Sequence, residues 1–380
     1  MTRFALTGAR IFTGDRFLDG HAALIAAGRI LAVVPEAEVP AETPVEPLTG
    51  GLLAPGFIDV QVNGGGGVLF NDTPEVEALA RLAQAHARHG TTALLPTFIT
   101  DDAARMRQAI DAVKAAQRSV PGVLGIHLEG PFLAPARKGA HDANHIRPLT
   151  EADVSALLET DLRPLLLTLA PERVAPALIA RLAAGGVTVS LGHSDARYEV
   201  AMAAADAGAR GVTHVFNAMS PLSHRAPGMV GAALDHGGLW GGIIADGHHV
   251  HPAALAIALR AKRGPARLFL VTDAMPTAGH SDDEFHLNGR KVVRRDGVLT
   301  LEDGTLAGSD LTMDAALRFA VDHLDVSLAE ALRMASLYPA LFLGLDADYG
   351  RITPGSRADL VHLSPALAVQ SVWINGRPVR

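Results

Sequence analysis

Over positions 1–17, MTRFALTGARIFTGDRF, apolar and polar residues alternate with the period of two that half-buried strands show. The pattern changes at Leu52. From there the chain carries short, nearly continuous apolar runs at 52–62, 92–99, 123–129, 164–170, 187–193, 212–217, 240–246 and 268–273. A strand covered on both faces reads this way, whereas one with a wet face alternates. Helical patterns fit between the runs. Thr73 and Pro74 supply a cap and a first-turn proline for a helix that Gly90 stops, and further helices are predicted at 101–119, 150–159, 171–184, 195–207, 252–263 and 311–323.

Eight such runs, each followed by a connection long enough to cross over, predict an α/β fold of the (β/α)8 TIM-barrel type. A doubly wound open sheet is the alternative. The ionisable residues favour the barrel: Glu129, His193, His214, Asp246 and Asp273 close their runs, and the C-terminal strand ends are where barrel enzymes keep their chemistry. Residues 1–51 and the tail 349–380, with its PGS and NGR turns, fall outside this rhythm and are predicted to pair as one small β-sandwich domain built from both chain ends. The barrel then occupies 52–348, with a hairpin inserted near 286–305.

Composition narrows the chemistry. With no cysteine among 380 residues, disulfides, thiolate nucleophiles and thiolate metal sites are excluded, so any metal must be held by nitrogen and oxygen. A net charge of −7 with scattered basic residues carries no nucleic-acid footprint. No stretch is long and apolar enough to span a membrane, and the N-terminus lacks the pattern of a signal peptide, so a cytoplasmic location is expected.

Glu129 ends an apolar run, and a buried carboxylate is costly without a partner. His193 and His214, at or near two later strand ends, are neutral nitrogen ligands of the kind that bind zinc and related metals, and Glu129 adds the oxygen. Two histidines and one carboxylate leave room for water, the arrangement of a catalytic rather than a structural metal. Asp273 closes the eighth run, where a carboxylate over a cation can move a proton. Past the sixth run, Asn217, the backbone N–H of Ala218 and Arg225 could form an anion site. The run Gly64–Gly67 lacks the Lys-Ser/Thr of a phosphate loop and reads as a tight turn. The cluster His248, His249 and His251 could, on spacing alone, be a second metal site.

The stretches GFIDVQVNGGGG, GIHLEGPF, KGAH, GHSDA, THVFNAMSPLSHRAPG, GIIADGHHV, VTDAM and LAGSDLTM occur in this order through nearly the whole chain. Together they resemble the N-acetylglucosamine-6-phosphate deacetylases of the amidohydrolase superfamily. The resemblance implies a hydrolase of a linear amide bond that converts N-acetyl-D-glucosamine 6-phosphate to D-glucosamine 6-phosphate and acetate, using metal-activated water with Asp273 as proton shuttle. It implies one divalent metal ion per subunit on Glu129, His193 and His214, zinc first and iron, cobalt or manganese as alternatives. Gln61 and Asn63 stand where many amidohydrolases have a His-x-His pair, and neutral amides are poor ligands, so these are vestigial second-metal positions. By the same resemblance His141 polarises the amide carbonyl, Asn217, Ala218 and Arg225 hold the 6-phosphate, His249 touches the sugar and Leu306 approaches the acetyl group. The resemblance also implies a small phosphorylated amino sugar as partner and a homodimeric assembly. Other amidohydrolases, such as a cyclic amidase or an N-acyl-amino-acid deacylase, and a non-catalytic scaffold remain as alternatives.

Overall fold

The structure, a computed structural model, describes residues 3–379. Its central feature is a sheet of eight parallel strands in consecutive order: Phe57–Val62, Thr91–Ile99, Ile126–Glu129, Leu165–Leu169, Thr188–Leu191, Gly211–Val212, Trp240–Ile244 and Leu268–Val271. The first and eighth strands close it into a barrel. Asp273 N–H donates to the Gln61 carbonyl at 2.9 Å, and the Thr272 hydroxyl donates to the Asp59 carboxylate at 2.5 Å. Val62 then bridges Ala274 in parallel. The strands are buried along nearly their whole length, which is why their sequences run apolar without alternation.

Helices cover the outside, and their starts follow local chemistry. Asp102 caps Ala103–Ser119 by accepting from Ala104 and Arg105 N–H, and Thr150 forms a reciprocal capping box with Asp153 on Glu151–Glu159. His251 caps Pro252–Ala261 with Nδ1, a structural duty that removes it from the second metal site its spacing allowed. The helix predicted from Thr73 starts later, at Val76, because the Asp72 and Thr73 N–H groups are turned back onto the Leu69 carbonyl. The stretch 171–184 divides into a single turn, Pro171–Arg173, and a helix, Pro176–Ala184, which opens on a proline at its first position. Helices Gly228–Asp235, Leu328–Ala335 and Leu337–Leu343 were not predicted.

The small unit is a sandwich of two sheets. One has the order Arg29–Pro35, His21–Ala26, Phe4–Thr7, Val45–Pro47; the other runs Arg377–Pro378, Val369–Ile374, Leu360–Leu363, Leu52–Pro55, Arg10–Phe12, Phe17–Leu18. Between them lie Leu6, Ile11, Ile25, Leu53, Leu360 and the fully buried Trp373. The predicted run 52–62 is therefore two strands. Leu52–Pro55 pairs with both chain ends, and only Phe57–Val62 enters the barrel. Gly56 separates them, with Thr92 so close that a Cβ there would lie 2.1 Å from its hydroxyl. The insertion after the eighth strand is also larger than a hairpin: Glu284–Leu287, Arg290–Arg295 and Val298–Leu301 form a three-stranded antiparallel sheet. The NGR turn is as predicted, with Asn375 and Gly376 both at positive φ between Val369–Ile374 and Arg377–Pro378.

Candidate active site

Glu129 is the last residue of the third strand, while His193, His214, Asp246 and Asp273 each lie two residues beyond their strands. His193, His214 and Asp273 have φ of 49°, 30° and 54°, the left-handed region that side chains with a Cβ rarely enter. At these three points the backbone leaves the strand sharply and the side chain turns over the barrel mouth. Glycines allow the adjoining loops to approach. Gly64–Gly65 pairs with Val68–Leu69 across a turn at Gly66 and Gly67, and a Cβ on Gly64 would meet the Val68 carbonyl at 2.4 Å.

The three expected ligands converge. Glu129 Oε1 lies 3.0 Å from His193 Nε2 and 3.0 Å from His214 Nε2, and the two nitrogens are 3.1 Å apart. Among the described residues this is the one group of three or more His, Asp or Glu side chains placed to hold a metal ion. His193 Nδ1 donates to the Arg137 carbonyl at 2.9 Å, so in the neutral ring Nε2 carries a lone pair facing the carboxylate. One proton could relieve one of the three short contacts; a divalent cation relieves all of them, so the donor set fits a metal. Burial would push Glu129 up, yet the hydrogen bonds and charges of His193 and His214 hold it well below its ordinary value, a carboxylate kept ionised at 2% exposure.

Asp273 sits beside this group and is held by amides. Asn63 Nδ2 donates to Asp273 Oδ1 at 2.6 Å and Gln61 Nε2 at 3.1 Å, and Gln61 also faces both Glu129 oxygens at 3.3 Å. Gln61 and Asn63 thus serve as donors that orient two carboxylates. Burial, then the charge of Glu129, pushes Asp273 up to about 6. Beneath it Asp59, raised by burial to about 7, joins the first and eighth strands through Thr272.

A cavity of about 390 Å³ opens over the cluster and is lined by Asn63, Glu129, His141, His193, His214, Asn217, Ala218, His249, Asp273 and Leu306, among others. His141 is buried, its ring centroid 4.3 Å from that of His193, and burial holds it well below the ordinary imidazole value. Its Nδ1 contacts Thr100 Oγ1 at 2.8 Å. Leu287 and Thr305 bring the inserted sheet and its following loop into the cavity wall, and Arg290 ties that sheet to the Ala140 carbonyl. Arg225 stands apart: it is exposed on the 220–227 loop and does not line the cavity, because that loop runs out to solvent before Gly228 starts the next helix. His248 is exposed as well. Thr100, the Arg137 carbonyl and the Asp59–Thr272 pair were not singled out from sequence; each acts through a partner distant in the chain, and no local spacing marks it.

Comparison with known proteins gives consistent matches. The model of the Amidohydrolase family matches residues 52–379, and that of the NagA composite domain matches residues 3–53. The chain is 45% identical over 372 residues to an N-acetylgalactosamine-6-phosphate deacetylase of Shewanella sp. (strain ANA-3), covering 97% of this chain and 94% of the relative. It is 35% identical over 379 residues to the N-acetylglucosamine-6-phosphate deacetylase of Haemophilus influenzae, covering 99% of each. The crystal structure of N-acetylglucosamine-6-phosphate deacetylase from Pasteurella multocida superposes with a TM-score of 0.96 at 36% identity, over 99% of both chains.

Proposed function

The chain belongs to the amidohydrolase family, and from that premise we propose that it hydrolyses the acetamide of N-acetyl-D-glucosamine 6-phosphate to D-glucosamine 6-phosphate and acetate. The observation that carries this reading is the convergence of Glu129, His193 and His214 beside Asp273, in a cavity that also holds His141. When bound to these three ligands, a divalent cation, zinc in our reading with iron, cobalt and manganese also suited to the donors, supplies Lewis acidity and draws the pKa of water toward neutrality.

The protein's own groups then divide the work. Asp273 accepts the proton of the attacking water on Oδ2, since Oδ1 is already engaged by Asn63 and Gln61. His141 donates to the carbonyl oxygen, where negative charge develops as the tetrahedral centre forms. Asp273 returns its proton to the departing nitrogen, which leaves as an amine because an amide anion is too basic to leave. Asn217, the Ala218 N–H and Arg225 hold the 6-phosphate, with Arg225 reaching it from the outer loop. His249 contacts the sugar and Leu306 the acetyl methyl. The same reading assigns a homodimer and a cytoplasmic location, and sedimentation tests the first.

Acetate release from N-acetylglucosamine 6-phosphate and from unphosphorylated N-acetylglucosamine, before and after chelation and zinc restoration, tests the proposal. Metal-dependent release confined to the phosphorylated sugar is expected; no release with metal restored refutes it. A second reading takes the C4 epimer, N-acetylgalactosamine 6-phosphate, as the preferred substrate. It is favoured by the higher identity to the Shewanella relative than to the Haemophilus one, 45% against 35%. The ratio of kcat/KM for the two epimers decides between them.

A further inference from the structure

Asp246 lies two residues past the strand Trp240–Ile244, in the ADGHHVH stretch. Both its oxygens are engaged. Oδ1 accepts from the backbone N–H of His248 at 2.8 Å and of His249 at 2.9 Å, and Oδ2 meets His249 Nδ1 at 2.6 Å. The two side chains are nearly closed off from solvent, at 10% and 7% exposure, yet His249 lines the cavity that holds Asp273. Burial would raise the Asp246 pKa, but the bonds from His249 bring it below its ordinary value, so the group is an ionised carboxylate near neutral pH.

An ionised carboxylate only accepts hydrogen bonds, so the proton of the short contact belongs to His249 Nδ1. In the neutral ring that leaves Nε2 as a lone pair. A lone pair repels the phosphate oxygens and the acetamide carbonyl, which are acceptors, and takes a donor such as a sugar hydroxyl. Building on the proposed activity, we infer that Asp246 is a positioning residue that fixes His249 as the Nδ1–H tautomer, so that Nε2 accepts a hydrogen bond from a ring hydroxyl of the amino sugar.

Asp246→Asn tests this. Its Oδ1 still accepts from both backbone N–H groups, while its amide now donates to His249 Nδ1 and moves the ring proton to Nε2, an inversion without a change of shape. Nitrogen NMR of the zinc-loaded full-length protein, with His249 assigned from a His249→Gln variant, should show an unprotonated Nε2 in the wild type and a protonated one in Asp246→Asn. On N-acetylglucosamine 6-phosphate, kcat/KM should fall about tenfold or more, the scale of one hydrogen bond made or lost, with zinc content and Tm unchanged. Against the 3-deoxy and 4-deoxy analogues, the one lacking the partner hydroxyl should lose less than about threefold, since it has no bond left to lose. A wild-type Nε2–H signal, or an equal loss on every analogue, overturns the inference. Inactivity of the wild type on all hexosamine phosphates overturns the proposed activity and the hydroxyl assignment together, while the spectra still decide the tautomer.

Discussion

Asp273→Asn separates proton transfer from metal binding. The substitution is close to isosteric, and Oδ1 of the new amide still accepts from Asn63 and Gln61, the two donors that now fix the carboxylate at 2.6 and 3.1 Å. Glu129, His193 and His214, the group placed to hold a metal, do not include Asp273, so metal content should stay at the wild-type value. What disappears is the oxygen that, in the proposed mechanism, takes a proton from water and returns it to the amine. Positioned general acid–base groups contribute about 10²–10⁴ in rate, which at roughly 1.4 kcal/mol per decade is about 3–5 kcal/mol of barrier. The proposed mechanism routes both proton transfers through this one group, so the upper part of that range is expected. The assay is kcat for acetate release on protein whose metal is quantified by elemental analysis, with Tm as a control for folding. Turnover within about threefold of wild type at full metal occupancy would refute the proton role.

Arg225→Ala should lower kcat/KM for N-acetylglucosamine 6-phosphate by about 10–100-fold, the scale of a charge-assisted hydrogen bond, and leave that for N-acetylglucosamine nearly unchanged; equal losses would remove Arg225 from phosphate recognition. His214→Ala and His193→Ala should each abolish retention of stoichiometric zinc through dialysis, and retention by either would exclude that residue as a ligand. His86, fully buried in the helix Val76–Ala87 with Nε2 donating to the Gly64 carbonyl, is pulled by burial to about 4. Its unfolded form binds the proton more tightly, so its contribution to stability is complete above about pH 6.5 and is lost as pH falls toward 4, at about 2 kcal/mol between pH 6.5 and 5. Urea unfolding across that interval should show the slope, and His86→Gln should flatten it; an unchanged slope would rule out His86 as its source.

The barrel was legible because continuous apolar runs have few alternatives once they recur with helices between them. The group that could hold a metal was legible because a glutamate and two histidines close the third, fifth and sixth runs, and strand ends of a barrel meet at its mouth. The division at Gly56 was hidden because Leu52–Pro55 and Phe57–Val62 are buried on both faces, although in different sheets, and give one unbroken pattern. The helix Gly228–Asp235 was hidden by its own glycines, which lower helix propensity; it is buried from Gly228 to Leu234 and held by packing. In the inserted sheet, Glu284–Leu287 is half exposed and carries two ionisable residues, too polar a strand to register as the third member of a hairpin. Arg225 is the converse case: its chemistry suits phosphate, but it is exposed on a loop that does not line the cavity of this chain, and no local pattern in the sequence encodes where that loop lies.

The left-handed residues at the barrel mouth place this protein's chemistry in opposition to its own durability. His193, His214 and Asp273 hold a backbone geometry that costs non-glycine residues roughly 1–2 kcal/mol each. Glycine at any of them would relieve that backbone cost, but at His193 or His214 it would leave the buried Glu129 short of a partner. These two positions therefore set backbone relief against the partners of a buried charge, and any effort to stabilise this protein at its rim has to be read out on turnover as well as on Tm.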